Sequence, residues 1–131
     1  MSFNWVDYLQ LARELEGETK NSEDSLLEAK LRTAISRAYY AAFGEACLLL
    51  IQKDGITLPR EGRHDFVIRV LSNSPYRTRK SIGSNLRRLR DHRNTADYQR
   101  SNIDKLPYLT QTVIQLAESV ISSIHQLRDS S

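Results

Sequence analysis

Apolar residues recur along most of the chain at intervals of three and four residues, and no stretch alternates apolar and polar residues for long. A period near 3.6 places apolar side chains on one face of an α-helix, whereas a half-buried strand needs a period of two. The pattern therefore predicts an all-α protein. A length of 131 residues suits one ordinary domain, so a single domain over 1–131 is expected.

Breaks in the periodic pattern divide the chain into helices. We expect helices over residues 3–16, 22–53, 64–71, 75–95 or slightly beyond, and 107–128. Asp54-Gly55 should end the long second helix, because glycine adopts the left-handed C-cap conformation at little cost. Ser74 is expected to cap the fourth helix, with Pro75 in its first turn. The predicted architecture is a bundle of four to five helices.

The long second helix carries the stretch "SRAYYAAFGEACLLL". Tyr39 and Phe43 are four residues apart and should pack on one side. Arg37 and Tyr40 lie on another side, where an arginine in a largely buried helix needs a partner. Cys47 is the single cysteine and is expected as a small buried thiol, which leaves no disulfide and no cysteine metal cluster.

No motif in the sequence indicates a cofactor or a metal, since a Gly-rich phosphate loop and an acidic metal cluster are both lacking. The N-terminal "MSFNWVDYLQ" does not resemble a secretion signal, and no uninterrupted apolar run reaches the ~18 residues of a membrane span. A cytoplasmic protein without membrane contact is expected.

Positive charge is concentrated in one part of the chain. Eight of the 19 basic residues and only two of the 16 acidic residues lie between positions 74 and 100, although the whole chain has a net charge of +3. Clustered arginines neutralise phosphates and release their counterions, so an anionic partner such as nucleic acid is one interpretation. A solvated arginine-rich helix face is the other.

Arg87 and His92 fit the spacing Arg-x4-His, which could supply a cation and a proton-transfer group for RNA cleavage. About one such match is expected by chance from the histidines and arginines present. Residues five apart on a regular helix also point about 140° away from each other. The pair is therefore a weak motif.

Arg93, Asn94 and Tyr98 form a better grouping, with Asp97 placed to orient Arg93. We expect Tyr98 to follow the helix end, where a turn could bring it back toward the guanidinium. In the alternative interpretation, Tyr98 packs on the bundle and Arg93–Asp97 is an ordinary i, i+4 pair. His64 is expected as a polar cap or a partly buried hydrogen-bonding residue.

Together, "SRAYYAAFGEA", His64 ahead of a short apolar helix, and "LRRLRDHRNTADY" resemble the HEPN superfamily of small helical domains. The likeness is to the prokaryotic branch with R-A-Y-Y-A-x-F and R-x-x-A-D-Y motifs. It implies a dimeric bundle in which paired R-x4-6-H motifs form a composite cleft. Active relatives are metal-independent endoribonucleases, many of them toxins paired with a nucleotidyltransferase-type antitoxin or proteins of phage defence.

The resemblance places Arg93 at the motif arginine and Asn94 at the polar residue after it. Tyr98 occupies the position where the family pattern has histidine. The leading hypothesis is thus a homodimer that binds RNA or a nucleotide around Arg93, Asn94 and Tyr98, with Arg87, Arg90 and Asp97 as further binding residues. If the protein cleaves RNA, Arg93 would stabilise the phosphate and Tyr98 or His92 would transfer a proton.

The competing hypothesis is a protein-interaction module without catalysis, such as an antitoxin-like or accessory subunit of a defence complex. Its basic helix would then dock a partner protein. Steep weakening by salt would indicate nucleic-acid binding, whereas nearly salt-independent association with a protein would indicate the module.

Overall fold

The protein is described by a computed structural model covering residues 3–18 and 24–130. These residues form five α-helices and no strand. The helices are α1 (Val6–Gly17), α2 (Asp24–Leu48), α3 (Arg63–Ser72), α4 (Arg77–Tyr98) and α5 (Leu106–Asp129), and α2 continues in a π-helical turn over Leu49–Lys53. The all-α prediction and the five-helix bundle are confirmed.

Helix α2 forms the centre of the bundle. It packs against α1, α4 and α5, while α3 lies mainly against α4. Each helix contributes apolar side chains to one core, as the periodic pattern predicts. Among the largest fully buried side chains are Tyr39, Ile35, Leu71, Leu89 and Ile124.

Two glycines allow close approach between elements. A Cβ built on Gly44 of α2 would overlap the indole of Trp5, and one on Gly83 of α4 would lie 2.5 Å from the backbone nitrogen of Ser72. Any larger residue would therefore disturb these contacts. The Gly44 contact holds the segment before α1 against the C-terminal part of α2.

The helix ends agree only partly with the sequence prediction. Gly55 has a φ of +67°, which confirms the expected left-handed residue after the second helix. Helix α4 begins at Arg77, so Pro75 is not in its first turn. Ser74 Oγ accepts a hydrogen bond from the Tyr76 backbone N–H at 3.1 Å, which forms a turn before the helix instead of the predicted cap. The predicted start of the second helix at residue 22 lies outside the described residues.

The stretch Leu26–Lys53 is long and apolar enough by length and composition to cross a membrane. The sequence did not predict a helix of this kind, because charged residues interrupt its apolar runs. However, 72% of its most apolar window is buried inside the bundle, a burial typical of the core helix of a globular protein.

Candidate functional site

Two rows of polar side chains on α4 have different surroundings. One row is exposed to solvent and consists of Arg87, Asn94 and Tyr98. The other row lies about 60–120° around the helix from the first, given 100° per residue. It consists of Arg90, Arg93 and Asp97, and the two arginines in it contact residues of α2 and α3. The basic helix therefore has both an exposed face and an edge built into the bundle.

Arg93 is packed against the aromatic residues of α2, and its side chain is only 11% exposed. Its guanidinium carbon lies 5.6 Å from the ring centroid of Tyr39 and 5.2 Å from that of Tyr40. Its Nη1 is 3.5 Å from Asp97 Oδ2, so the expected i, i+4 ion pair is present. The guanidinium is thus fixed in position by one carboxylate and two aromatic faces.

Arg90 links α4 to the start of α3. Its Nη1 donates a hydrogen bond to Asp65 Oδ1 at 2.5 Å, and this bond and the arginine's charge hold the pKa of Asp65 below its usual value. The Nε atoms of Arg90 and Arg93 are both buried and have no hydrogen-bond partner among the described residues. A buried donor without an acceptor is rare in folded proteins and costs about 1–3 kcal/mol.

His64 at the start of α3 lies in the same cluster. Its ring stacks on Phe43 at a centroid distance of 4.0 Å and an interplanar angle of 5°, and its Nδ1 is 2.5 Å from the Tyr39 hydroxyl. The expected role as a partly buried hydrogen-bonding residue is confirmed. Burial lowers the pKa of His64, and the charges of Arg90 and Arg93 lower it further, so the ring is neutral near pH 7.

The hydrogen bond to Tyr39 decides which ring nitrogen carries the proton. Burial raises the pKa of Tyr39, which keeps its hydroxyl protonated. His64 Nδ1 is the one hydrogen-bond partner of that hydroxyl among the described residues, so the arrangement that uses the hydroxyl hydrogen has the phenol donating to Nδ1 and the neutral ring carrying its proton on Nε2. His64, Arg90 and Arg93 are then all hydrogen-bond donors, which suits an anion or another electron-rich ligand.

Sequence reasoning did not place His64 among the site residues, because His64 and α4 are far apart in the chain. The aromatic run Tyr39, Tyr40 and Phe43 was the available signal. Tyr39 and Phe43 lie on one side of α2, and Tyr40 lies about 100° around the helix from Tyr39. Arg37 has the partners that the sequence required, since its guanidinium carbon lies 4.7 Å from the Tyr8 ring centroid and 5.2 Å from that of Tyr40.

Tyr98 and His92 lie away from this cluster. Helix α4 continues through Tyr98, so the expectation that Tyr98 follows the helix end is wrong. Tyr98 is five positions after Arg93 in the helix, so it points about 140° away from it, and it is 72% exposed. His92 directly precedes Arg93 in α4 and so points about 100° around the helix from it. Burial, followed by the charge of Arg88, lowers the pKa of His92.

Arg32 of α2 fixes the end of α4. Its guanidinium donates hydrogen bonds to the backbone carbonyls of Ala96, Gln99 and Ser101 at 3.1, 2.5 and 3.0 Å, and it pairs with Glu28 at 3.0 Å. A cation at a helix C-terminus satisfies carbonyls that lack a helical partner. This contact fixes where the "RNTADY" segment ends.

Models of known protein families, characterised proteins and solved structures yielded no match to this chain.

Proposed function

We propose that this chain is a HEPN-like protein that binds RNA or a nucleotide as a homodimer. The observation that carries the proposal is the convergence of Arg90, Arg93 and His64 at one junction. The sequence supports it through the basic segment and through the two motifs in their order along the chain, the second of which begins with Arg93 and Asn94.

The charge balance of the junction favours an anionic ligand. Arg90 and Arg93 each have one carboxylate nearby, on Asp65 and Asp97. The carboxylate of Asp65 is 73% exposed, so water screens much of its attraction for the Arg90 guanidinium and leaves the positive charge only partly neutralised. Arg87 adds an exposed charge less than one turn before Arg90. A phosphate near this row would gain charge-assisted hydrogen bonds from guanidinium groups that are already positioned.

Binding fits the donor pattern better than cleavage does. RNA cleavage by a general base needs an unprotonated nitrogen facing the reacting hydroxyl. Neither nitrogen of His64 meets this need. Nδ1 is unprotonated but already accepts from the Tyr39 hydroxyl, and Nε2 carries the proton. Tyr98 and His92 lie on other parts of α4, so neither completes a cleavage site with Arg93 within one protomer.

Fluorescence polarisation with a labelled single-stranded RNA, measured over a range of salt concentrations, tests the proposal. We expect Arg87→Gln to weaken binding several-fold at low salt. Each lost phosphate contact should reduce the slope of log K against log salt by about 0.7 for a single strand.

Arg88→Gln is the matched control. Arg88 is exposed on the same helix, and the substitution removes the same charge, but its side chain points about 100° around the helix from Arg87. Equal losses of RNA affinity in the two variants would mean that binding depends on the net charge of the protein and not on the position of Arg87. Absence of salt-dependent RNA binding by the wild-type protein would overturn the proposal.

Cleavage is tested separately with RNA and EDTA. We expect no cleavage by the wild-type protein. If cleavage occurs and is lost in Arg93→Ala, the protein is a metal-independent endoribonuclease, and a second protomer must supply the group that moves the proton.

The homodimer and a second candidate function share one observation. Tyr76, Tyr98 and Tyr108 are large side chains with about 70% exposure, and exposed aromatic residues are enriched at protein interfaces. A non-catalytic interaction module, with a nucleotidyltransferase-type antitoxin or a defence-complex subunit as partner, would use exposed side chains of this kind together with the basic helix α4. A monomeric mass at micromolar concentration would exclude the homodimer, and salt-independent association with a protein would support the module.

A further inference from the structure

A groove of about 340 Å³ opens beside His64, between α2, the segment before α1 and the loop that leads to α3. Its lining includes Trp5, Tyr40, Cys47, Leu58, Arg63 and His64. The volume falls within the about 300–1,000 Å³ typical of small-molecule sites. It can therefore hold one ring system and not a folded segment of another protein.

The walls of the groove are aromatic and flat. Trp5 and Tyr40 lie on the lining together with Phe43, and the Trp5 indole is braced edge-on by Phe3 at 5.0 Å and by Tyr8 at 5.7 Å between ring centroids. The close approach allowed by Gly44 fixes the indole against α2. A planar heteroaromatic ligand gains stacking and buried area in such a space.

The polar groups on the lining are donors. Arg63 Nε donates to the Pro59 carbonyl at 3.1 Å, which anchors the guanidinium and leaves its Nη groups without a partner among the described residues. His64 supplies Nε2–H, since Nδ1 accepts from Tyr39. The thiol of Cys47 is protonated, because burial raises its pKa to about 11. The edge of the ligand that faces these groups should carry acceptors.

The groove adjoins the cluster described above, because two residues belong to both. Tyr40 lines the groove and also lies 5.2 Å from the Arg93 guanidinium carbon. His64 lines it as well and shares the junction with Arg90 and Arg93. A ligand that combined a flat ring with a phosphate could thus reach both parts of the site.

We infer that this groove binds a nucleobase through stacking on its aromatic walls and hydrogen bonds from Arg63 and His64. Guanine presents two acceptors, O6 and N7, on one edge, whereas adenine presents an amino donor beside its N7. Guanine is therefore the preferred base. The inference rests on the proposed function, which it deepens by naming the recognised part of the ligand.

Trp5 is the single tryptophan of the chain and lies on the lining of the groove. All tryptophan fluorescence of the protein therefore comes from this wall of the groove. The protein is titrated with GMP, AMP and ribose 5-phosphate, with excitation at the red edge of the tryptophan absorption and correction for absorption by the base. We expect GMP to quench or shift the emission at concentrations at least about fivefold lower than AMP. Ribose 5-phosphate should have no effect.

A short single-stranded RNA with one guanine, compared with the same RNA carrying adenine there, distinguishes the two sources of the base. A Trp5 response to the guanine strand without a response to GMP assigns the groove to an unstacked base of RNA. A response to both assigns it to the free nucleotide as well. Equal responses to GMP and ribose 5-phosphate, or no response to any probe, would overturn the inference.

Two substitutions at one position give a matched pair. Cys47→Leu adds bulk to the lining and should abolish the GMP response, whereas Cys47→Ser keeps the size of the side chain and should retain it. Arg63→Met should remove the preference for GMP over AMP. Unfolding curves for each variant show whether the fold is retained.

The RNA polarisation assay keeps this inference separate from the proposed function. If Cys47→Leu binds RNA as the wild type does and no probe alters Trp5, the groove does not bind bases and the proposed function stands. If Arg87→Gln has no effect but GMP still quenches Trp5, RNA binding through α4 fails and the groove stands.

Discussion

Replacing Gly44 with alanine should detach the Trp5 indole from α2. The added Cβ would overlap the indole ring, and the backbone of a central buried helix cannot move away. The indole must therefore leave its position and lose its contact with α2, together with its packing beside Phe3 and Tyr8.

The magnitude follows from the half-buried state of Trp5. A fully buried aromatic side chain removes about 150–250 Å² from water. Half of that area at about 25 cal/mol per Å² corresponds to about 2.5 kcal/mol. The change from glycine to alanine within a helix stabilises the folded state by about 1 kcal/mol, because alanine has the higher helix propensity. The free energy of unfolding should fall by about 1–2 kcal/mol, which lowers Tm by about 3–8 °C in a domain of this size.

Urea unfolding followed by circular dichroism gives the free energy, and the emission maximum of Trp5 gives the exposure of the indole, which should shift to the red. Gly17→Ala is the control, because a Cβ at Gly17 meets nothing within 4 Å. That variant should be neutral or up to about 1 kcal/mol more stable. A gain in stability for Gly44→Ala with unchanged emission would refute the proposed packing of Trp5.

Three further outcomes are expected. Because the folded pKa of His64 lies below its ordinary value of 6.5, the unfolded chain takes up the proton first, and the free energy of unfolding should fall as pH decreases below about 6.5. His64→Asn should reduce that fall. The two proteins compared should both carry His92→Asn, because the pKa of His92 is also lowered and would add a fall of its own. An unchanged pH profile would contradict the burial of His64. The Cys47 thiol, with its pKa raised to about 11, should react with iodoacetamide at pH 7 far more slowly in the folded protein than in urea, and equal rates would show that it is exposed. Leu89→Ala in the core of α4 should cost about 2–5 kcal/mol in urea unfolding, whereas Leu11→Ala, at 39% exposure, should cost much less; similar losses would mean that α4 is not packed as described.

The sequence by itself determined the five helices and the buried faces of each. These depend on the spacing of apolar residues and on local signals such as Gly55, which act within a few residues. The Arg93–Asp97 pair was also predictable, because four residues of helix bring these side chains together wherever the helix lies.

Only the tertiary structure decided which polar groups meet. Tyr39 and His64 are 25 residues apart, as are Asp65 and Arg90, and no local pattern joins such positions. The contacts at the end of α4 likewise depend on a distant residue, since Arg32 of α2 binds the carbonyls of Ala96 and Gln99. Periodicity fixes which face of a helix is buried, but the contacts across that face depend on how the helices pack, and there the donors of His64, Arg90 and Arg93 come together.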